Sequence, residues 1–179
     1  MKFNKTSISG AYLIELEKIG DERGFFARAW CQNEFQGHNL VTRFVQCNLS
    51  FNKRRNTLRG MHYQSAPLEE VKLVRCTRGA VFDVIIDLRP ESPTYLKWIG
   101  VELTAENYRM LFVPKMFAHG FQTLEDDCVV TYQVGQYYTP GSERGICYND
   151  AVFGIQWPLE VSAISDKDRK WPGYIENAK

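Results

Sequence analysis

The chain has 179 residues, 44% of them hydrophobic and 24% charged, with 22 Lys and Arg against 21 Asp and Glu, for a net charge of +1. That length fits a single domain, 1–179, with a core large enough to need no covalent staples, and so balanced a charge supplies no field to recruit nucleic acid or an anionic membrane surface. No run approaches the ~18 apolar residues of a membrane span, and the opening MKFNKTSISG has no apolar signal stretch, so the chain reads as soluble and cytoplasmic.

In chain order, period-two runs rich in β-branched and aromatic residues predict strands at 11–16 (AYLIEL), 58–64 (LRGMHYQ), 72–77 (KLVRCT), 80–88 (AVFDVIIDL), 97–103 (KWIGVEL), 109–114 (RMLFVP) and 128–134 (CVVTYQV). FVPKMFAHGFQTL at 112–124 is a further patterned β-rich segment. Turn signals punctuate them: IGDERG (19–24), TRGA (77–80), RPESPT (89–94), LTAEN (103–107), LEDD (124–127) and TPGSERG (139–145). Helical periodicity is confined to a short turn near Gln32–Phe35 and a piece near Ser165–Lys170. Many short strands separated by turns predict an all-β fold, an antiparallel sandwich or jelly-roll barrel with short peripheral helices. Five cysteines, odd in number and without a C-x-x-C pair, argue against a disulfide framework or a thiolate zinc site. Most are expected to be small apolar fillers.

Two of the three histidines, His62 and His119, lie in patterned β segments, whereas His38 sits in a polar stretch and reads as a surface residue. Imidazole suits proton transfer at neutral pH, so the pair points to acid–base chemistry. Along VKLVRCTRG, Lys72 and Val74 share one face and Leu73 and Arg75 the other, which aims a lysine into the barrel. Two chemistries compete for these residues. A metal site would draw on His62, His119 and a carboxylate such as Glu70, but the chain is short of imidazoles for a full ligand set. Metal-free acid–base work would use His62 as base, an acid from Ser165–Asp168 to orient it, Tyr132 as acid and Lys72 against developing negative charge. Each residue also has an ordinary structural use, as a bonded strand histidine, a core-edge tyrosine or a helix cap. Arg23 and Arg59, each beside glycine, have the planar fork that suits a diphosphate, and Phe25, Phe26, Tyr137 and Tyr138 have faces for a base. Lys53–Arg55 reads as a solvated loop.

At these residues the chain resembles the dTDP-4-dehydrorhamnose 3,5-epimerase family, metal-free enzymes with a cupin-type jelly roll. The likeness runs from DERGFF (21–26) through LRGMHYQ, KLVRC, VFDV, VELTAEN, FAHGF, the Tyr132 strand and Tyr137-Tyr138 to SDKD (165–168). It implies His62 as base paired with Asp168, Tyr132 as acid, and Lys72 and His119 at the hexose. It further implies Arg23, Arg59 and Lys167 at the diphosphate, Phe26, Gln46, Asn48 and Glu143 as substrate contacts, Tyr138 on the base, and no cofactor. A homodimer follows from the resemblance, with the Arg23 segment crossing between subunits. Two positions depart from the family pattern: Arg28 stands where Glu is usual, and Cys47 where an acidic or polar residue is common. The charge reversal at Arg28 suggests a paralogue that reads guanine or cytosine. A 3- or 5-mono-epimerase and a non-catalytic sugar-nucleotide-binding cupin remain as alternatives.

Overall fold

A computed structural model describes Met1–Tyr174; residues 175–179 of the single domain expected over 1–179 lie outside the described residues. Two six-stranded sheets form its body. The first has the order β1(Lys2–Lys5), β2(Tyr12–Glu15), β10(Met110–Val113), β7(Lys72–Arg78), β12(Cys128–Val134), β5(Gln46–Asn52). The second runs β13(Glu143–Gly145), β6(Thr57–Gln64), β11(Phe117–Thr123), β8(Ala80–Asp87), β9(Trp98–Thr104), with β14(Ala163–Ile164) alongside β6. The predicted antiparallel pairing holds throughout these sheets with one exception, the parallel contact of β14 with β6.

The core lies between the sheets, where Val74, Cys76, Leu111 and Val130 of the first meet Val81, Ile85, Leu103 and Phe121 of the second. Both outer faces are also covered, which explains why β7 and β8 are buried along most of their length rather than on alternate residues. Leu73, Met110 and Phe112 pack outward on Phe35 of α1(Gln32–Gly37), while Val84, Ile86 and Ala118 pack on Ile146, Phe153 and Ile155. α2(Asp166–Arg169) completes the predicted pair of short helices.

Three local expectations are corrected. IGDERG holds more than its turn: Glu22–Arg23 turn between β3(Ile19–Asp21) and β4(Gly24–Phe26), which pair as a separate two-stranded ribbon, with Gly24 at a positive φ of 128° where the chain comes back on itself. TPGSERG contains a strand, β13, beyond its turn. Of the cysteines, Cys76 and Cys128 alone are buried fillers; Cys47 is exposed and Cys31 and Cys147 are half-buried.

Candidate active site

Strand register brings the site together at one open end of the barrel. Tyr132 is paired with Asn48 on one side and Val74 on the other, and the next inward row is Gln46, Val134 and Lys72. These inward positions alternate with outward ones, so Lys72 faces the cavity on the same side of β7 as the core residues Val74 and Cys76. The opposite wall comes from the second sheet, where His62 is paired with His119 and Gly145. The resulting cavity of about 130 Å³ is lined by Gln46, Asn48, His62, Lys72, Tyr132 and Glu143, with Gln64, Glu70 and Tyr138 at its margin.

His62 is bound to a carboxylate. Its Nε2 lies 2.7 Å from Oδ1 of Asp168, whose Oδ2 accepts the Gly60 N–H at 3.2 Å. Asp168 is buried on α2, and its own N–H donates to the N-cap hydroxyl of Ser165 at 3.0 Å. Burial pushes the Asp168 carboxyl up, but the hydrogen bonds and charge of His62 and the Gly60 N–H hold it below its ordinary value. An ionised carboxylate accepts and cannot donate, so Nε2 carries the hydrogen and Nδ1 is the basic nitrogen. Across the cavity, burial first and the charge of Glu70 second raise the Tyr132 phenol above its usual range, keeping it protonated. Lys72 Nζ, nearly buried, stands 3.1 Å from Glu70 Oε1.

His119 belongs to a deeper layer. Its Nε2 lies 3.0 Å from both oxygens of Asp83, a fully buried residue, and it does not line the cavity. The metal alternative loses its ligand set on geometry: the two imidazoles turn to different aspartates and Glu70 to Lys72, and no three His, Cys, Asp or Glu cluster among the described residues.

The remaining expected contacts divide into two groups. Gln46 accepts the Tyr138 N–H at 2.8 Å, Tyr138 Oη reaches Glu143 at 3.5 Å, and Glu143 is ion-paired with Lys167, which ties the rim together. Arg59 Nε donates to Asn52 Oδ1 at 2.6 Å on the same wall as His62. The second group lies apart. Arg23 is ion-paired with Asp21 at the tip of the β3–β4 ribbon, and Phe26 on that ribbon is exposed. Arg28 is held by Glu34 at 3.0 Å. Within one chain these three do not reach the cavity.

Sequence reasoning missed several supporting residues. Gln64 takes the Thr139 N–H and the Ser142 hydroxyl and donates to Leu68 and Tyr137 carbonyls, anchoring the rim loop. Asp83, Asn52 and Trp171 serve His119, Arg59 and His62 in the same supporting way. The inward parity of Asp83, a carboxylate among the apolar residues of β8, was the available signal.

A barrel whose mouth sets an imidazole–carboxylate pair on one wall and a protonated phenol on the other defines the class of cupin-fold carbohydrate epimerases. The model of the dTDP-4-dehydrorhamnose 3,5-epimerase family matches residues 5–176. The chain belongs to that family. A protein of Methanothermobacter thermautotrophicus named dTDP-4-dehydrorhamnose 3,5-epimerase is 46% identical, over 98% of this chain and 96% of its own. The crystal structure of the Bacillus anthracis dTDP-4-dehydrorhamnose 3,5-epimerase with TDP and PPi bound superposes with a TM-score of 0.92 at 40% identity, covering 96% of this chain and 98% of that one. The Legionella pneumophila dTDP-6-deoxy-D-glucose-3,5-epimerase, in complex with dTDP-4-keto-L-rhamnose, gives 0.89 at 38%, over 96% and 92%.

Proposed function

We propose that this protein inverts C3 and C5 of a dTDP-linked 4-keto-6-deoxyhexose, converting dTDP-4-dehydro-6-deoxy-D-glucose to dTDP-4-dehydro-L-rhamnose. The observation that carries the reading is His62, bonded to Asp168, on one wall of a cavity whose facing wall holds Tyr132. A C4 ketone acidifies the hydrogens on C3 and C5, so Nδ1 of His62 removes either one and leaves an enolate. The imidazolium that forms is stabilised by Asp168. Lys72, with one donor on Glu70, keeps others for the enolate oxygen, and a cation fixed in a half-dry site stabilises charge far better than one in water. Tyr132 returns a proton from the opposite face, which inverts the centre. Arg59 and Lys167 serve the diphosphate, Gln46, Asn48, His119 and Glu143 the sugar, and Tyr138 the base.

The active form in this reading is a homodimer in which Arg23 and Phe26 reach the partner's cavity. Supporting this, the ribbon exposes Ile19 and Phe26 at 72% and 71%, and the outward face of β5 exposes Leu49 at 68%. Single apolar residues on a surface are ordinary; a projecting ribbon that carries several beside an apolar strand face is the form of an interface. For the base, thymine follows from the named relatives, while Arg28, bonded to Glu34 through Nη1 alone and otherwise exposed, keeps donors of its own. A cytoplasmic setting accords with five cysteines that are all unpaired.

Proton NMR in deuterium oxide with dTDP-, GDP- and CDP-linked 4-keto sugars tests the reading as a whole. Deuterium is expected at both C3 and C5 of the dTDP sugar, with L-rhamno product. Exchange at one carbon would make the protein a mono-epimerase, preference for another nucleotide would restore the role suggested for Arg28, and binding without exchange would leave a non-catalytic cupin.

A further inference from the structure

Asp168 is carried by a helix of four residues, far too short to hold its own orientation. The carboxylate therefore depends on the strap of chain beyond the helix. From Lys170 to Tyr174 that strap is fastened at four places, once to the second sheet beside His62 and three times to loop residues Cys147, Asp150 and Tyr95. Trp171 stands edge-on to the His62 ring at a centroid distance of 6.3 Å and packs against Gly145, where any Cβ would come within 2.2 Å of its ring atoms. Pro172 accepts the Cys147 N–H at 3.0 Å. The Tyr174 N–H donates to Asp150 Oδ2 at 2.6 Å, and its hydroxyl meets that of Tyr95 at 2.6 Å. Lys167 Nζ sits 5.6 Å over the Trp171 ring, joining the strap to the rim pair with Glu143.

We propose that Trp171, seated on Gly145 and held by the Asp150–Tyr174–Tyr95 fastening, is a positioning residue for the reaction, acting on His62 through Asp168. The proposal rests on the assignment of His62 as the base. Trp171 has two neighbours that matter: the imidazole itself and the strand β13 that pairs with β6 at His62. Its Nε1 is buried without a hydrogen-bond acceptor among the described residues, so shape and not hydrogen bonding keeps the ring in place. A ring of similar breadth without the N–H fills the role; a methyl group does not. Loss of the ring frees α2 to drift, and drift of about 1 Å at a base costs on the order of tenfold to a hundredfold in rate.

The experiment is kcat against pH, with KM, for the full chain and the variants Trp171→Ala, Trp171→Phe, Gly145→Ala and Asp168→Asn. The titratable groups around His62 are Asp168 and Lys167 of α2, Glu143 of β13, His119 of β11, Tyr132 and Tyr138, and the Glu70–Lys72 pair. Of these the strap moves Asp168 relative to the ring. A more distant carboxylate favours the imidazolium less, so the acid limb of the kcat profile shifts to lower pH. Trp171→Ala and Gly145→Ala are expected to lower kcat about tenfold or more, shift that limb down and leave KM nearly unchanged. Trp171→Phe restores most of the rate and the position of the limb. Where Trp171→Ala does not fold, Asp150→Asn and Tyr174→Phe give smaller changes of the same sign. If Asp168→Asn moves both limb and rate while Trp171→Ala and Gly145→Ala move neither, the strap has no positioning role. If Asp168→Asn moves nothing, the base assignment fails instead.

Discussion

Asp168 Oδ1 lies 2.7 Å from His62 Nε2 although 106 residues separate them in the chain. One carboxylate joins β6 to α2: the same group takes the Gly60 N–H with its second oxygen, so the imidazole and the backbone two residues before it share an anchor. This relationship makes the dyad a property of the folded barrel rather than of any one segment.

Replacement of His62 by Ala should abolish deuterium incorporation at both C3 and C5, since the proposed reaction uses one base for both carbons. A positioned base is worth about 10²–10⁴-fold, and Asp168→Asn should lose a smaller part of that factor through a misoriented ring. Single-turnover NMR in deuterium oxide measures both; residual exchange at one carbon in His62→Ala would reveal a second base.

Tyr132→Phe should spare proton removal more than inversion. Burial and Glu70 raise the phenol and keep it protonated, which suits the proton delivery proposed for it. The variant is expected to wash solvent label into recovered substrate while forming little product, and equal loss of exchange and inversion would take the acid role away from Tyr132.

Gly60→Ala should destabilise the fold by about 3 kcal/mol or more, read by denaturant unfolding. Gly60 has a φ of 131°, and a Cβ there would lie 2.5 Å from Gly120 Cα on the neighbouring strand. Because the Gly60 N–H also binds Asp168, the variant should lose activity even where it remains folded.

Asp87 governs acid stability. Burial raises its carboxyl, but Arg89, Ser92 and Thr94 outweigh that and bring its pKa to about 2 from an ordinary value of 3.8. A depressed carboxyl stabilises the fold fully above its unfolded value, and that contribution, about 2 kcal/mol, is lost as pH falls from 3.8 toward 2. Asp87→Asn should therefore be less stable than the parent at pH 7, with the gap closing near pH 2. A constant gap across acid titration would locate the effect in packing alone.

Phe26→Asp should shift the protein toward the 20.7 kDa monomer in light scattering and raise KM for the nucleotide sugar. A variant that remained dimeric with unchanged KM would remove the ribbon from both roles.

Much of this was legible in the sequence because its cause is local. Runs rich in β-branched and apolar residues, with side chains alternating in direction even where both faces are covered, mark β7, β8 and β12, so the strands there match their predicted positions within a residue or two. The same parity aimed Lys72 inward and set Tyr132 on an alternating strand. IGDERG read as a turn because strands of three residues carry too little periodicity to register. The cysteines misled because their apolar character says nothing of which ones are covered.

By itself, the sequence determined an all-β fold of sandwich or barrel type, an inward lysine and two strand histidines, all consequences of side chains alternating on a pleated backbone, with the barrel itself implied by the family resemblance. The tertiary structure gave the His62–Asp168 pair implied by the resemblance its geometry, and it alone decided that His119 pairs with Asp83, that Arg28 bonds Glu34, and that Trp171 closes on Gly145. Hydrogen bonds between groups far apart in sequence have no periodic signature, since their geometry exists once register and sheet packing have brought the strands together.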